Sequence, residues 1–125
     1  LKVIDSSGWL EFFTDGPLAE RYAFLLNDLS QIITPTVVLY EVYKKIRRER
    51  GEEAALVVAA QLQKTQLIPL NDTIALRAAD LSLEHHLAMA DAIIYATATL
   101  HDTLLITSDD DFELIPGVLF LQKPS

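Results

Sequence analysis

Apolar residues along the chain alternate between short unbroken runs and longer stretches spaced by three and four, and that alternation predicts an order of elements. The opening "LKVID" is a β-prone run ending in Asp5, and the "SSG" that follows predicts a strand entering a tight loop. Leu18, Tyr22, Leu25, Leu26 and Leu29 recur at helical spacing and predict a helix over Leu18 to Leu29. "QIIT" reads as a short strand, with Pro35 suited to the first turn of a helix that runs on toward Arg50. Glu52 to Lys64 is again helical, and "LIPL" from Leu67 is a third strand segment. Asn71 or Asp72 can cap the next helix, which carries Ile74, Leu76, Ala79 and Leu83. "MADAIIYATATL", Met89 to Leu100, is a further helix, and "TLLIT" and "GVLFL" complete the strands.

Strands alternating with helices imply βαβ units, hence a largely parallel sheet covered by helices on both faces. The chain of 125 residues predicts a single domain, residues 1–125, with neither repeats nor linkers. No apolar run approaches the roughly 18–20 residues needed to span a bilayer, and no secretory signal pattern is visible near Leu1. Cysteine is absent, which removes thiolate chemistry and disulfides and makes the cytoplasm the default expectation.

The formal net charge is −8, unfavourable for holding nucleic acid through phosphate contacts alone, but the charge is unevenly distributed. Five of the ten Lys and Arg residues fall within "KKIRRER", Lys44 to Arg50. By itself that segment is ordinarily a solvated helix face with i, i+4 partners. The opposite extreme is "TSDDDF", Thr107 to Phe112, where three aspartates follow an apolar strand.

In an open parallel sheet ligands bind outside the carboxyl ends of the strands, where Asp5 and Asp109 both fall. Glu41 lies beside Val42 and Tyr43 on a helix where core-facing positions are expected, and Asp91 opens an apolar helical run. Each has an ordinary structural reading: an intrahelical ion pair with Lys44 or Lys45 for Glu41, an N-cap for Asp91. Four carboxylates gathered at one edge repel by about 4 kcal/mol per pair at about 4 Å and an effective dielectric of about 20, so such a cluster calls for cations. Oxygen-only ligands suit Mg²⁺ or Mn²⁺ rather than Zn²⁺.

The ordered set "VIDSSGWLEFF", "TPTVVLYEVYKKIRR", "MADAIIYATA" and "LLITSDDDFELIPGVLFL" resembles the PIN-domain ribonucleases, and among them the VapC-like toxins of toxin–antitoxin pairs, over nearly the whole chain. The resemblance implies a three-layer α/β/α sandwich with a central, mostly parallel sheet. Its acids, matched to Asp5, Glu41, Asp91 and Asp109, would hold one or two Mg²⁺ or Mn²⁺ ions that promote hydrolysis of RNA to 5′-phosphate and 3′-hydroxyl ends. Ser7 and Thr107 match hydroxyl residues expected to orient carboxylates or bound water. Asp111 matches a further acid and is expected either to ligate metal or to cap the following turn, whereas Asp110 should point away into solvent. Lys45 and Arg48, four and seven residues beyond Glu41, share its general face and are expected to guide RNA phosphates. Lys44, Arg47 and Arg50 are expected to be solvated or to face a partner. The implied partners are an RNA substrate, a cognate antitoxin and a second copy of the chain in a homodimer.

His85, His86 and His101 are expected at helix ends, outside the site, and Trp9, Phe12 and Phe13 form an aromatic patch suited to the core or to a partner. The competing reading is a PIN-fold interaction module or RNA-processing factor that works mainly through protein partners. A haloacid-dehalogenase-like phosphohydrolase would need a D-x-D pair where this chain has "DSS". A phosphotransfer receiver would need a lysine after a late strand, and past Lys64 only Lys123 remains.

Overall fold

The computed structural model describes residues 1–124. Five strands, β1 (Lys2–Ile4), β2 (Ile32–Pro35), β3 (Gln66–Ile68), β4 (Leu104–Thr107) and β5 (Val118–Phe120), form one sheet in the order β3-β2-β1-β4-β5, with every pairing parallel. Six helices connect them: α1 (Ser6–Phe13), α2 (Ala19–Leu25), α3 (Thr36–Arg50), α4 (Glu52–Leu62), α5 (Asp72–His85) and α6 (Met89–Leu100). This is the expected α/β/α arrangement. The chain steps outward from β1 through β2 to β3, then returns across the sheet to β4. Right-handed crossovers therefore put the α1–α4 connections and the α5–α6 connection on opposite faces.

The core is the meeting of that sheet with its helices. Val3, Ile4, Ile32, Ile33, Leu105 and Ile106 are buried in the three central strands, where burial on both faces removes any polar alternation. Val38, Val42 and Ile46 recur every four residues along α3, and α6 buries an unbroken run from Ala92 to Ala98. The alanines of α6 let its backbone approach the strands it covers.

Three local features depart from the sequence reading. The "SSG" segment is not a loop: α1 begins at Ser6, directly after the strand, with Asp5 in the N-cap position. Asp and Ser are favoured at such starts, and Gly8 is accommodated because a Cβ there would lie 2.3 Å from Cε1 of Tyr22. The next helix stops at Leu25 rather than Leu29. Asp28 accepts bonds from both the amide and the hydroxyl of Ser30, and this local turn starts a 3-10 segment, Leu29–Gln31, instead. Pro35 ends β2 and occupies the N-cap position rather than the first turn of α3.

Candidate metal and nucleic-acid site

Strand pairing creates the site. Ile4 of β1 is level with Ile106 of β4, and the Asp5 amide donates to the Ile106 carbonyl at 2.9 Å, so Asp5 and Thr107 leave the sheet side by side. Asp5 is 3% exposed. Its side chain does not cap α1; instead Oδ2 accepts the Thr107 hydroxyl at 2.7 Å and the Ser7 hydroxyl at 3.1 Å. Each hydroxyl has one hydrogen, so both are spent on Asp5, leaving their oxygens to accept the Asp109 amide (on Thr107, 3.0 Å) and the Ser108 amide (on Ser7, 3.0 Å). The two hydroxyls thus lock the acid after β1 to the loop after β4. Burial raises the Asp5 pKa, the bonds from Thr107, the Ser6 amide and Ser7 oppose that, and the Asp109 charge adds to it.

Asp91, Asp109 and Asp111 each offer a carboxylate oxygen, all within 4.8 Å of one another. Asp91 is the third residue of α6, and Ala88, not Asp91, occupies the N-cap position. Its carboxylate meets those of Asp109 and Asp111, in the segment that follows β4, and Asp91 is not the N-cap of its helix. Burial pushes the Asp91 carboxyl up to about 7, reinforced by the charges of Asp109, Asp5, Glu41 and Asp111. Asp5 and Glu41 are not in the three-acid group, although their charges add to the rise at Asp91. The three-oxygen donor set is hard and contains neither imidazole nor thiolate, which fits Mg²⁺ or Mn²⁺. Asp109 also accepts the Asp111 amide at 2.9 Å, so Asp109 rather than Asp111 caps the Asp110–Phe112 turn. Asp110 is exposed.

Glu41 reaches Ser6, the residue after Asp5. It is only partly exposed and accepts the hydroxyl of Ser6 at 2.6 Å rather than pairing with a neighbouring lysine. Lys45 and Arg48 line a pocket of about 290 Å³ with Glu41, and Lys44 lines it too. Arg47 instead lies 4.0 Å from Glu52, and Arg50 donates to the Phe13 carbonyl at 3.3 Å.

Ser6, Ser108 and Tyr22 were not singled out by sequence. Ser6 became legible only once α1 was known to start there, and Tyr22 carried no signal beyond its place on an apolar stripe. Tyr22 is fully buried, with its hydroxyl 2.7 Å from that of Ser108. Burial chiefly, helped by the charges of Asp5 and Glu11, holds its phenol up at about 12 and therefore neutral. The histidines stay apart from the acids: His85 packs edge-on against Tyr95, His86 is the left-handed C-cap of α5, and His101 bonds the Thr97 carbonyl at 2.8 Å. Trp9 is buried and stacks on Phe13, leaving Phe12 nearer the surface.

The model of the PIN domain family matches residues 2–118. Among solved structures, a toxin–antitoxin complex from Klebsiella pneumoniae is 28% identical, with 95% of this chain and 96% of that chain covered and a TM-score of 0.79. The DNA-bound VapBC of Salmonella typhimurium is 19% identical over 97% of this chain and 96% of that one, with a TM-score of 0.77. VapC20 of Mycobacterium tuberculosis, described as a sarcin–ricin loop cleaving toxin, is 17% identical over 99% of this chain and 100% of that one, with a TM-score of 0.77. At those lower identities the likeness is one of fold. Among curated proteins none matches the sequence.

Proposed function

The chain belongs to the PIN domain family, and from that premise we propose that it is a divalent-metal-dependent endoribonuclease, the toxin of a toxin–antitoxin pair. The observation that carries this reading is the convergence of Asp91, Asp109 and Asp111 within 4.8 Å, beside a buried Asp5. Like charges so arranged favour a bound cation over any neutral ligand.

In this reading Asp91 and Asp109 hold Mg²⁺ or Mn²⁺, with Asp111 contributing a third oxygen. Asp5 and Glu41 would complete the acidic wall. When bound, such ions offset charge on a scissile phosphate and lower the pKa of an attacking water. The chain's own contribution is positional. Ser7 and Thr107 fix Asp5 through Oδ2, and Ser6 fixes Glu41. Lys45 and Arg48 draw RNA phosphates toward an edge that would otherwise repel them.

The partners in this reading are RNA, a cognate antitoxin protein and a second copy of the chain, and the setting is the cytoplasm. The antitoxin partner is supported by the similarity to a toxin–antitoxin complex at 28% identity. Among the described residues no helix is long and apolar enough to cross a membrane.

The test is RNA cleavage by the purified chain with Mg²⁺ or Mn²⁺, with chelator, and in Asp5→Asn. Cleavage that needs the ion and disappears in the variant supports the reading. Tight partner binding without cleavage under any ion condition would favour an interaction module instead.

A further inference from the structure

The basic segment of α3 faces more than solvent. Tyr40, Lys44, Lys45 and Arg48 wall the pocket beside Glu41, and the Ser6–Glu41 hydrogen bond forms its side toward Asp5. The pocket therefore adjoins the acidic edge and shares Glu41 with it, its other charged lining being Lys44, Lys45 and Arg48. Tyr40 is 60% exposed, with Lys44 Nζ 5.4 Å from its ring centroid and 3.3 Å from its hydroxyl. Lys45 is engaged only by Glu49, at 3.6 Å with both side chains 44% exposed, a pairing that a phosphate can displace. Arg48 makes no ion pair among the described residues.

We propose that Tyr40 is a stacking platform for one unpaired base of the RNA, held beside the acidic site with its phosphate on Lys44 and Arg48. The proposal rests on the ribonuclease reading and deepens it by naming a subsite for a single-stranded nucleotide. Three observations combine. With a net charge of −8 cationic surface is scarce, and three of the ten basic residues, Lys44, Lys45 and Arg48, gather at this wall. An exposed aromatic within a basic pocket is the pairing by which proteins hold single strands, since every base offers a π-face and every nucleotide a phosphate. A base inside an A-form duplex has both faces stacked and cannot present one to a side chain, so the platform selects unpaired RNA. Tyr40 and Lys44 also line the larger groove between α3 and α4, whose lining includes Leu56 and which could accept a protein segment instead.

The test uses the intact chain with a short fluorescein-labelled single-stranded oligoribonucleotide of mixed sequence, and the same strand in a duplex, both in EDTA so that nothing is cleaved. Tyr40→Ala is expected to weaken single-strand binding by about fivefold or more, whereas Tyr40→Phe and Tyr40→Trp stay within about twofold of wild type. Duplex binding should be indifferent to all three. Wild-type affinity in Tyr40→Ala would overturn the proposal, as would a loss in Tyr40→Phe equal to that in Tyr40→Ala, which would point to the hydroxyl rather than the ring. Unchanged RNA affinity with lost antitoxin binding would assign the wall to a protein partner and also overturn it. Metal-dependent cleavage by the wild type, measured separately, decides the ribonuclease reading. A failure of the subsite alone is thus distinguishable from a failure of both.

Discussion

The hydroxyl of Tyr22 sits 2.7 Å from that of Ser108, linking a buried helix residue to the loop that carries Asp109. The Tyr22 ring also lies against Gly8 in α1, so one side chain touches both segments whose ends hold Asp5 and Asp109. Tyr22→Phe keeps the ring and removes the link. It is expected to lower the melting temperature by about 3–6 °C, as loss of one buried hydrogen bond would, and to weaken Mn²⁺ binding by about threefold to tenfold. Calorimetric titration should find Ser108→Ala alike and the double variant no worse than either single one, because both delete the same bond. Unchanged Mn²⁺ affinity would leave Tyr22 a packing residue only.

The three consecutive aspartates should be unequal. Asp109→Asn is expected to reduce metal-dependent cleavage by more than about a hundredfold, beyond the roughly 10–100-fold typical of residues that only support ligands. Asp111→Asn, which is exposed but lies within the three-acid group, should cost about tenfold on the same scale. Asp110→Asn should stay close to wild type. Equal losses in cleavage assays would mean that bulk negative charge, not position, is what matters.

Stability should depend on pH in a direction opposite to that of an ordinary surface acid. Burial and neighbouring charges raise Asp91 from 3.8 to about 7, so between those values the folded chain holds a proton that the unfolded chain has released. Metal-free stability should therefore fall as pH rises through that window, with Asp5 adding in the same sense. Mg²⁺ or Mn²⁺ favours the ionised carboxylates and should offset the loss most strongly near and above pH 7. Melting curves with and without ion across this range test the sign; a metal-free protein that gains stability up to pH 7 would contradict it.

Replacing Lys45 and Arg48 together with alanine should weaken RNA binding and leave metal affinity unchanged. The slope of log affinity against log salt should become shallower by about 0.7 for each phosphate of a single strand that the protein no longer neutralises. Unaltered affinity and cleavage would mean that these side chains do not touch RNA.

Much of the architecture is legible along the chain because it follows from periodicity. Met89–Leu100 is helical and the runs around Ile33, Leu105 and Leu119 are strands, as their spacing and β-branched content require. Parallel order then places Asp5 and Asp109 at one edge, since the carboxyl ends of parallel strands share a side. Local competition is less legible. Ser6 and Ser7 are as good in turns as in helix starts, and the close approach of Tyr22 to Gly8 in the helix that forms is a tertiary contact that the local sequence does not report.

What the sequence determined by itself was the inventory: which acids, which basic segment and which strand ends. Tertiary structure decided which atoms meet. The hydroxyls of Ser7 and Thr107 converge on one oxygen of Asp5 although they lie 100 residues apart in the chain, and Ser6 rather than a neighbouring lysine takes Glu41. Asp91 meets Asp109 and Asp111, while Ala88 holds the N-cap position of its helix. Pattern along a chain reports which face a residue occupies, but a hydrogen bond between distant side chains depends on register and crossover to a fraction of an ångström, and only the assembled sheet sets those.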